Sequence, residues 1–382
     1  MNIAFPNIRH LAAFAATVRH GTVTAAAHEI ALTQSALTQA IARLERTLNC
    51  RLFDRHPDGM CPTEAGRLLA PRAAKALELI GSPRVTATQA RAFLALSRKG
   101  GYSEAAKSLG VAPASLHRAV ADLSLALDER LVERRGRHLA LTAKGEARAR
   151  SFGLAMAELR SGFAEVSDWL GKASGRIVIG AMPLCRARWL PQAIIAFLKV
   201  QPEVEVAVIE GSHAELSGPL RHGEIDFLLG ALRKEGEFED LIQAPVFCDR
   251  PKIILSSSHP LARNKDLSAS DLRRYPWVLP PAGTPLRVYW EEMMSSFGKV
   301  PEVAVECGSV ITIRELMLDT DMLTLLSSDQ LRVEIEADLH VHFEPPKPVE
   351  RIIGITTRRD WRPTPTQRKM LDILQEAAKQ IS

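Results

Sequence analysis

Between residues 33 and 43 the chain sets Thr33, Gln34, Ser35, Thr38, Gln39 and Arg43 around an apolar stripe of Leu37, Ile41, Leu44 and Leu48. At helical spacing the apolar set shares one face and the polar set occupies the others. Amides and hydroxyls in the first turns of a helix suit the donor and acceptor pattern of base edges. Gln pairs bidentately with adenine, and Ser or Thr serves either base type. Arg43, farther along the helix, and Arg55 beyond it suit backbone phosphate. Taken alone, such a face is as readily a solvated one. The elements around it decide in favour of the chemistry.

Residues 8–19 place Ile8, Leu11, Phe14, Ala15 and Val18 at helical spacing, and Gly21-Thr22 ends that helix and caps the next. Thr24 to Ile30 is rich in alanine, which lets two helices cross closely. Leu32-Thr33 forms a turn, with Thr33 as N-cap of a helix over 34–47. Residues 51–63 read as a two-stranded wing turning at Pro57-Asp58-Gly59. A helix over 64–80 follows and stops at Gly81-Ser82-Pro83, with a kink expected at Pro71.

The same skeleton returns 79 residues later, because 12–66 align with 91–145 without a gap. Phe14 falls on Phe93, Ala26-Ala27 on Ala105-Ala106, Leu37 on Leu116, Thr63 on Thr142 and Gly66 on Gly145. Two copies are too few for a solenoid, so tandem domains are expected. The chemistry differs between them. The second helix carries Pro113, Ser115, His117 and Arg118, and Asp122 stands where the first has Arg43. The second wing gathers Arg134, Arg135 and Arg137, which attract backbone phosphate whatever the sequence. One reading divides the labour: the first copy reads bases and the second adds affinity through its wing or makes protein contacts. A covalent pseudo-dimer in which both copies read DNA, and a second copy that is scaffold only, stay open.

Residues 8–70 resemble the N-terminal domain of LysR-type transcriptional regulators. The likeness rests on Phe14, Thr22, Ala26-Ala27, Thr33 through Thr38, Ile41, Leu44-Glu45, Leu48, Arg51 through Arg55 and Thr63 through Gly66. It implies that Gln34, Ser35, Thr38 and Gln39 face DNA and that Arg43 and Arg55 hold phosphates. Residues 144–171 form a long helical pattern with Ala147, Phe152, Ala155, Leu159, Phe163, Val166 and Leu170 as its stripe. Such a stripe needs a partner, and the same helix of a second chain is expected. The resemblance agrees, since these regulators dimerise through the helix after the wing. Residues 171–175 read as a hinge.

Strands and helices alternate beyond residue 175. Strands at 176–181, 205–210 and 226–230 with helices between them predict a parallel sheet covered on both faces. A second lobe opens at 252–256, and a late strand (351–357) and helix (364–380) close the chain. This half resembles the two-lobed, periplasmic-binding-protein-like effector domain of the same regulators. Gly175 through Gly180, Leu190-Pro191, Phe197, Pro202, Gly223 through Asp226, Asp249 and His259-Pro260-Leu261 carry that match. Position then nominates residues for a cleft between lobes: Leu184, Cys185, Arg186, Ser212, His213, Thr284, Arg287 and Thr312. Arg186 or Arg287 can pair with a carboxylate, though each alone better suits an ordinary surface role. Cys185 suits packing better than redox chemistry.

Charge follows the same division. Residues 1–173 hold 24 Lys/Arg against 15 Asp/Glu, and residues 174–382 hold 25 against 29. A basic front half suits a polyanion. Five scattered cysteines without a Cys-x-x-Cys pair read as free thiols in a reducing compartment. With no long apolar run and no basic, apolar leader, the expected place is the cytoplasm. Glycine-rich nucleotide loops, a nucleophile elbow and zinc-protease motifs are missing from the sequence, so no catalytic residue, metal or cofactor is expected. His340 and His342 read as a chance pair.

The expected fold is therefore two winged helix-turn-helix domains, a long dimerisation helix and a two-lobed α/β effector domain. The divisions are 1–82, 83–145, 146–174 and 175–382, with lobe I near 175–248 and 345–382 and lobe II near 249–344. The expected function is a ligand-responsive regulator. Its partners are double-stranded DNA, a small effector, further copies of the chain as homodimer or homotetramer, and RNA polymerase. The alternatives are a protein-assembly module and, more remotely, an enzyme.

Overall fold

A computed structural model describes residues 5–57, 59–135, 138–172, 175–233 and 238–381 of the 382, without the side chains of Arg135 and His138. Helices α1 (Ile8–His20), α2 (Val23–Glu29) and α3 (Gln34–Leu48) lead into the hairpin β1 (Phe53–His56) and β2 (Gly59–Pro62) and then α4 (Glu64–Ile80). The order then recurs as α5 (Ala87–Lys99), α6 (Tyr102–Leu109), α7 (Pro113–Leu127), β3 (Val132–Arg135), β4 (His138–Leu141) and α8 (Ala143–Trp169). Corresponding elements keep the offset of 79, down to their turns. Asn49 and Asp128, at the ends of α3 and α7, both adopt left-handed backbone, at φ 52° and 53°. Their short polar side chains tolerate that region better than branched ones. Thr63 and Thr142 cap the helices after each hairpin and donate their hydroxyls to Arg51 O and Arg130 O. Glycine follows three positions later for a steric reason. A Cβ at Gly66 would lie 2.3 Å from the Leu52 carbonyl oxygen, and one at Gly145 2.0 Å from that of Leu131.

The two units share one interior. A single apolar cluster runs from Phe5 to Val166, so boundaries at 82/83 and 145/146 do not divide the core. Its spine is α4 against α8. This corrects the expectation for the long helix. Its stripe, including Phe152, Ala155, Leu159, Phe163 and Val166, is buried against α4 and α5 of the same chain rather than waiting for a second one. The helix α4 also runs through Pro71 without a break. Beside that proline, Arg72 is buried between Glu158 and Glu165 of α8, at 2.9 and 2.5 Å, and donates to the Arg362 carbonyl at 3.0 Å. Burial alone would lower the pKa of this guanidinium. Hydrogen bonds to two carboxylates overcome that and raise it.

The C-terminal half begins with β5 (Arg176–Ala181), α9 (Pro183–Ala187), α10 (Trp189–Val200), β6 (Glu205–Glu210), α11 (His213–Arg221), β7 (Phe227–Ala231) and β8 (Leu241–Asp249). The chain then forms β9 (Lys252–Ser256), α12 (Ala269–Leu272), β10 (Trp277–Leu279), α13 (Pro285–Ser295), β11 (Val303–Glu306), α14 (Val310–Leu318) and β12 (Thr324–Leu326). A 3-10 turn (Ser328–Leu331), α15 (Arg332–Glu336) and β13 (His340–Phe343) complete that part, and β14 (Arg351–Arg358) and α16 (Pro365–Ala378) return to the first. The strands β6-β5-β7-β14-β8 form one sheet, in which β5 is parallel to β6 and β7. The three strands expected to be parallel are so, and β14 extends them into a mixed sheet, since it runs antiparallel to both β7 and β8. The strand β8 escapes the sequence pattern because Pro245 interrupts it. It tolerates that proline as an edge strand, with a register shift opposite it at Ile353/Gly354. The second group of strands is β12-β9-β13 with β10-β11 beside it. Where the chain passes between the groups, Arg351 and Asp249 form a buried 2.6 Å ion pair.

Lobe I sits on the helical half through α8. A Cβ at Gly153 would lie 2.3 Å from the His222 carbonyl oxygen, and Arg160 donates to Gly223 O at 2.6 Å. Arg98 pairs with Glu224 at 2.5 Å, and Thr366 donates to Asp168 at 2.7 Å.

Candidate nucleic-acid interface and effector cleft

The first turn of α3 is organised by its cap. Thr33 Oγ1 accepts from the Ala36 N–H at 3.2 Å and lies 3.2 Å from Ser35 Oγ. Gln34 Nε2 donates to Thr24 Oγ1 at 3.1 Å, which ties α3 to α2 and leaves the amide oxygen for outward-facing chemistry. Thr33, Gln34, Ser35 and Gln39 are exposed and Thr38 is half-buried, while Leu37, Ile41 and Leu44 are buried behind them. Arg43 is exposed farther along. It stands close enough to His10 to lower the imidazole's pKa, second to the effect of burial. The wing is anchored independently. Met60 N donates to Gly21 O at 2.7 Å, and a Cβ at Gly59 would lie 2.4 Å from the same oxygen. That seat fixes the hairpin whose exposed Arg55 pairs in register with Met60. Asp58, part of the expected turn, lies outside the described residues. The α1–α2 corner is closed by Glu29, which accepts from Arg19 and lies 2.5 Å from His20 Nε2.

The second unit presents different groups. Ala112 occupies the N-cap of α7 without a side-chain bond, and Pro113 begins the helix. Ser115, His117 and Arg118 are exposed, and His117 rests on the Tyr102 ring at 4.9 Å. Asp122 is exposed at the place of Arg43. Arg134 is exposed on β3, whereas the Arg135 side chain and Arg137 lie outside the described residues. The structure thus keeps the α3 set together on one helix and splits the second set between α7 and its wing.

The cleft residues separate more sharply. Cys185 is corrected. It is fully buried in the lobe I core, and burial pushes its thiol up to about 12, so it lines no cleft and offers no thiolate. Leu184 packs on the same core. Arg186 pairs with Glu210, yet its buried Nε has no hydrogen-bond partner among the described residues. Ser212 and Glu215 form a capping box, which accounts for Ser212, and His213 stacks on Phe238 at 5.2 Å. In the second lobe Arg287 is engaged with Glu291 at 2.7 Å and Glu306 at 3.3 Å, and lies over the Trp290 ring. Its charge is matched, which argues against a ligand role. Thr284 donates to Pro281 O, and Thr312 is exposed at the start of α14.

Other residues make the contact across the lobes. The 3-10 turn at 328–331 touches both α9 and α14, and Arg188 Nη1 lies 3.3 Å from Asp329 Oδ1. Sequence reasoning passed over Arg188, Asp329, Arg72 and Arg160. Their partners lie 63 to 290 residues away, apart from any local pattern. Among the described residues no group of three His, Cys, Asp or Glu could hold a metal ion, and no helix is long and apolar enough to cross a membrane.

The family model described as LysR substrate binding domain matches residues 170–379. The model of bacterial regulatory helix-turn-helix proteins of the lysR family matches twice, at 8–67 and 87–146. The HTH-type transcriptional regulator GalR of Pseudomonas putida is 32% identical over 349 residues, 88% of each chain. The HTH-type transcriptional regulator PcaQ of Agrobacterium fabrum is 23% identical over 303 residues, 78% of this chain and 96% of its own. Among solved structures, ArgP from Mycobacterium tuberculosis superposes with a TM-score of 0.58 at 14% identity, covering 76% of this chain and 96% of its own. A full-length OxyR from Pseudomonas aeruginosa gives 0.55 at 19%, covering 76% and 94%. These two structures speak to the fold, and each leaves about a quarter of this chain unmatched.

Proposed function

The chain belongs to the LysR family of transcriptional regulators, and on that footing we propose that its tandem winged helix-turn-helix units dock on promoter DNA while a small metabolite binds between the lobes of its C-terminal half. The enzyme alternative falls away, since the matching families and relatives are regulators. The observation that carries the DNA reading is the exposed Thr33, Gln34, Ser35 and Gln39 at the capped start of α3, flanked by Arg43 and the wing's Arg55. Thr38 stands half-buried behind them. The first unit reads base edges. In the second, Ser115, His117 and Arg118 add contacts, and Arg134, Arg135 and Arg137 hold phosphate through the wing.

Effector binding is assigned to the space beside α9 and the 328–331 turn, where Arg186 offers an unpaired buried N–H to an anionic group. The direct contact of α8 with lobe I at Gly153, Arg160 and Gly223 gives lobe closure a rigid path to the DNA-binding half. Several chains assemble on the promoter in the cytoplasm and present themselves to RNA polymerase. Titrating labelled duplex at two salt concentrations tests the first step. Replacing Gln34, Ser35 and Gln39 by alanine is expected to abolish preference for a selected site while leaving non-specific, salt-dependent binding intact. Equal preference by the variant and the parent would refute the role given to α3.

A further inference from the structure

We infer that one chain carries both halves of a DNA-reading pair, so that its binding site consists of two unlike elements held at one spacing by the contact of α4 with α8. The inference rests on the DNA-binding reading above. The contact itself is antiparallel. Gly162 of α8 packs against Leu69 and Arg72 near the start and middle of α4, and Arg148 near the start of α8 reaches Gly81 at the end of α4. A Cβ at Gly162 would lie 2.9 Å from Arg72 Cβ and 3.1 Å from Leu69 Cδ1, so the Leu69 and Arg72 side chains of α4 fill the space that a side chain at 162 would need.

Midway between these contacts stand Ala76 and Ala155, which correspond under the 79-residue offset and are both fully buried. The flanking buried residues correspond as well: Ala73 with Phe152, and Ile80 with Leu159. Two like units whose terminal helices cross antiparallel at equivalent residues are related by an approximate two-fold axis. Rotation about an axis leaves height along it unchanged, so α3 and α7 lie at the same height. A duplex that reaches one recognition helix is placed to reach the other. The common core from Phe5 to Val166 denies the units the freedom of a flexible tether and so fixes the spacing.

A pair made from two copies of one unit reads an inverted repeat. This pair is not made from copies. The helix α3 offers Thr33, Gln34, Ser35, Gln39 and Arg43, while α7 offers Ser115, His117, Arg118 and Asp122 behind an alanine cap and a proline. The fitting partner is a duplex segment without two-fold symmetry, contacted by a single chain.

The test uses full-length protein and selection from random duplex DNA, followed by affinity measurements with two surface variants. The expected site has two unlike elements at a constant separation. Q34A/Q39A weakens binding roughly tenfold through the first element only, and S115A/H117A/R118A does so through the second only. Inserting about half a helical turn of DNA between the elements abolishes the high-affinity complex. A palindromic site whose two arms both respond to Q34A/Q39A, with no response to the α7 variant, would overturn the inference and leave the regulator reading standing. Failure of the parent protein to select any sequence, with no salt-dependent binding, would overturn the DNA-binding reading and this inference with it.

Discussion

The first and second winged units share their core and answer the same backbone problem with the same residues, yet part company over most of the helix face they turn outward. Both hold a threonine cap, a glycine under a carbonyl and a left-handed Asn or Asp at matching positions. These are sites where geometry leaves few choices. The surfaces that face outward share almost nothing: Arg43 against Asp122, Gln34 against Pro113, a capped α3 against an uncapped α7. Stabilising contacts have diverged too. Arg72 of α4 bridges two carboxylates, whereas its counterpart on α8 is Ser151. The same frame tolerates two different outward surfaces and two different ways of being held together.

The largest expected effect comes from breaking the bridge that makes the two units one body. Arg72→Ala strands Glu158 and Glu165 in a mostly buried setting, and removing one side of such a pair costs about 3–5 kcal/mol. Chemical denaturation should show that loss, while Ser151→Ala changes stability by less than about 0.5 kcal/mol. Replacing Arg72, Glu158 and Glu165 together by apolar residues of similar size should recover most of it. A full loss in the triple variant would mean that packing at Gly162, not charge, holds the units together. The next effect is on recognition. If α3 reads base edges as proposed, truncating Gln34, Ser35 or Gln39 to alanine should cost about 1–3 kcal/mol of discrimination in site-versus-random competition. Alanine at Arg55 should leave discrimination intact and reduce the salt slope by about one ion.

How far the sequence revealed these features follows from the range of the interactions. The helix end at Gly21 and the cap at Thr33 are local, and the pattern of residues exposed them directly. So did β5, β6 and β9, whose apolar runs are short and uninterrupted. The direction of β14 was not readable, because nothing in its own residues says which neighbours it will find across more than 100 positions. The partner of α8 was hidden for the same reason. Its stripe announced that something would cover it, and a second chain and α4 satisfy that demand equally. Cys185 was placed in the cleft by its position after β5. The short α9 instead turns the thiol into the lobe I core, which also holds Trp189 and Phe197.

Acid separates the two units in a further way. Glu129 accepts two hydrogen bonds from Arg148, both at 2.8 Å, and these hold its carboxyl below the usual range despite the opposing effect of burial. The counterparts in the first unit are Cys50 and Leu69, both part of the apolar interior. A folded pKa below the unfolded value of about 4.3 means that the stabilisation is complete above that pH. It fades as pH falls through the lower folded value. Glu129→Gln should therefore lower stability at pH 7 and flatten its decline in acid. A parallel acid limb in parent and variant would show that the pair contributes nothing measurable.

The smallest effect tests whether the missing cap on α7 is a defect or an accommodation. Thr33 satisfies the Ala36 N–H with its side chain, and alanine there should cost about 1 kcal/mol. At the matching place in the second unit, the Ser115 N–H donates to the Ala112 carbonyl at 3.0 Å instead. Pro113 already sets the first helical turn and brings no N–H of its own to satisfy. Ala112 has the extended backbone of a normal cap, at φ −69° and ψ 142°, so a threonine fits without strain. Its hydroxyl would compete for a donor that is already occupied. Ala112→Thr should therefore gain clearly less than Thr33→Ala loses, by thermal unfolding of the whole chain. A gain as large as that loss would show that α7 gave up stability at this position, and that the alanine and proline are kept for what they touch outside the protein.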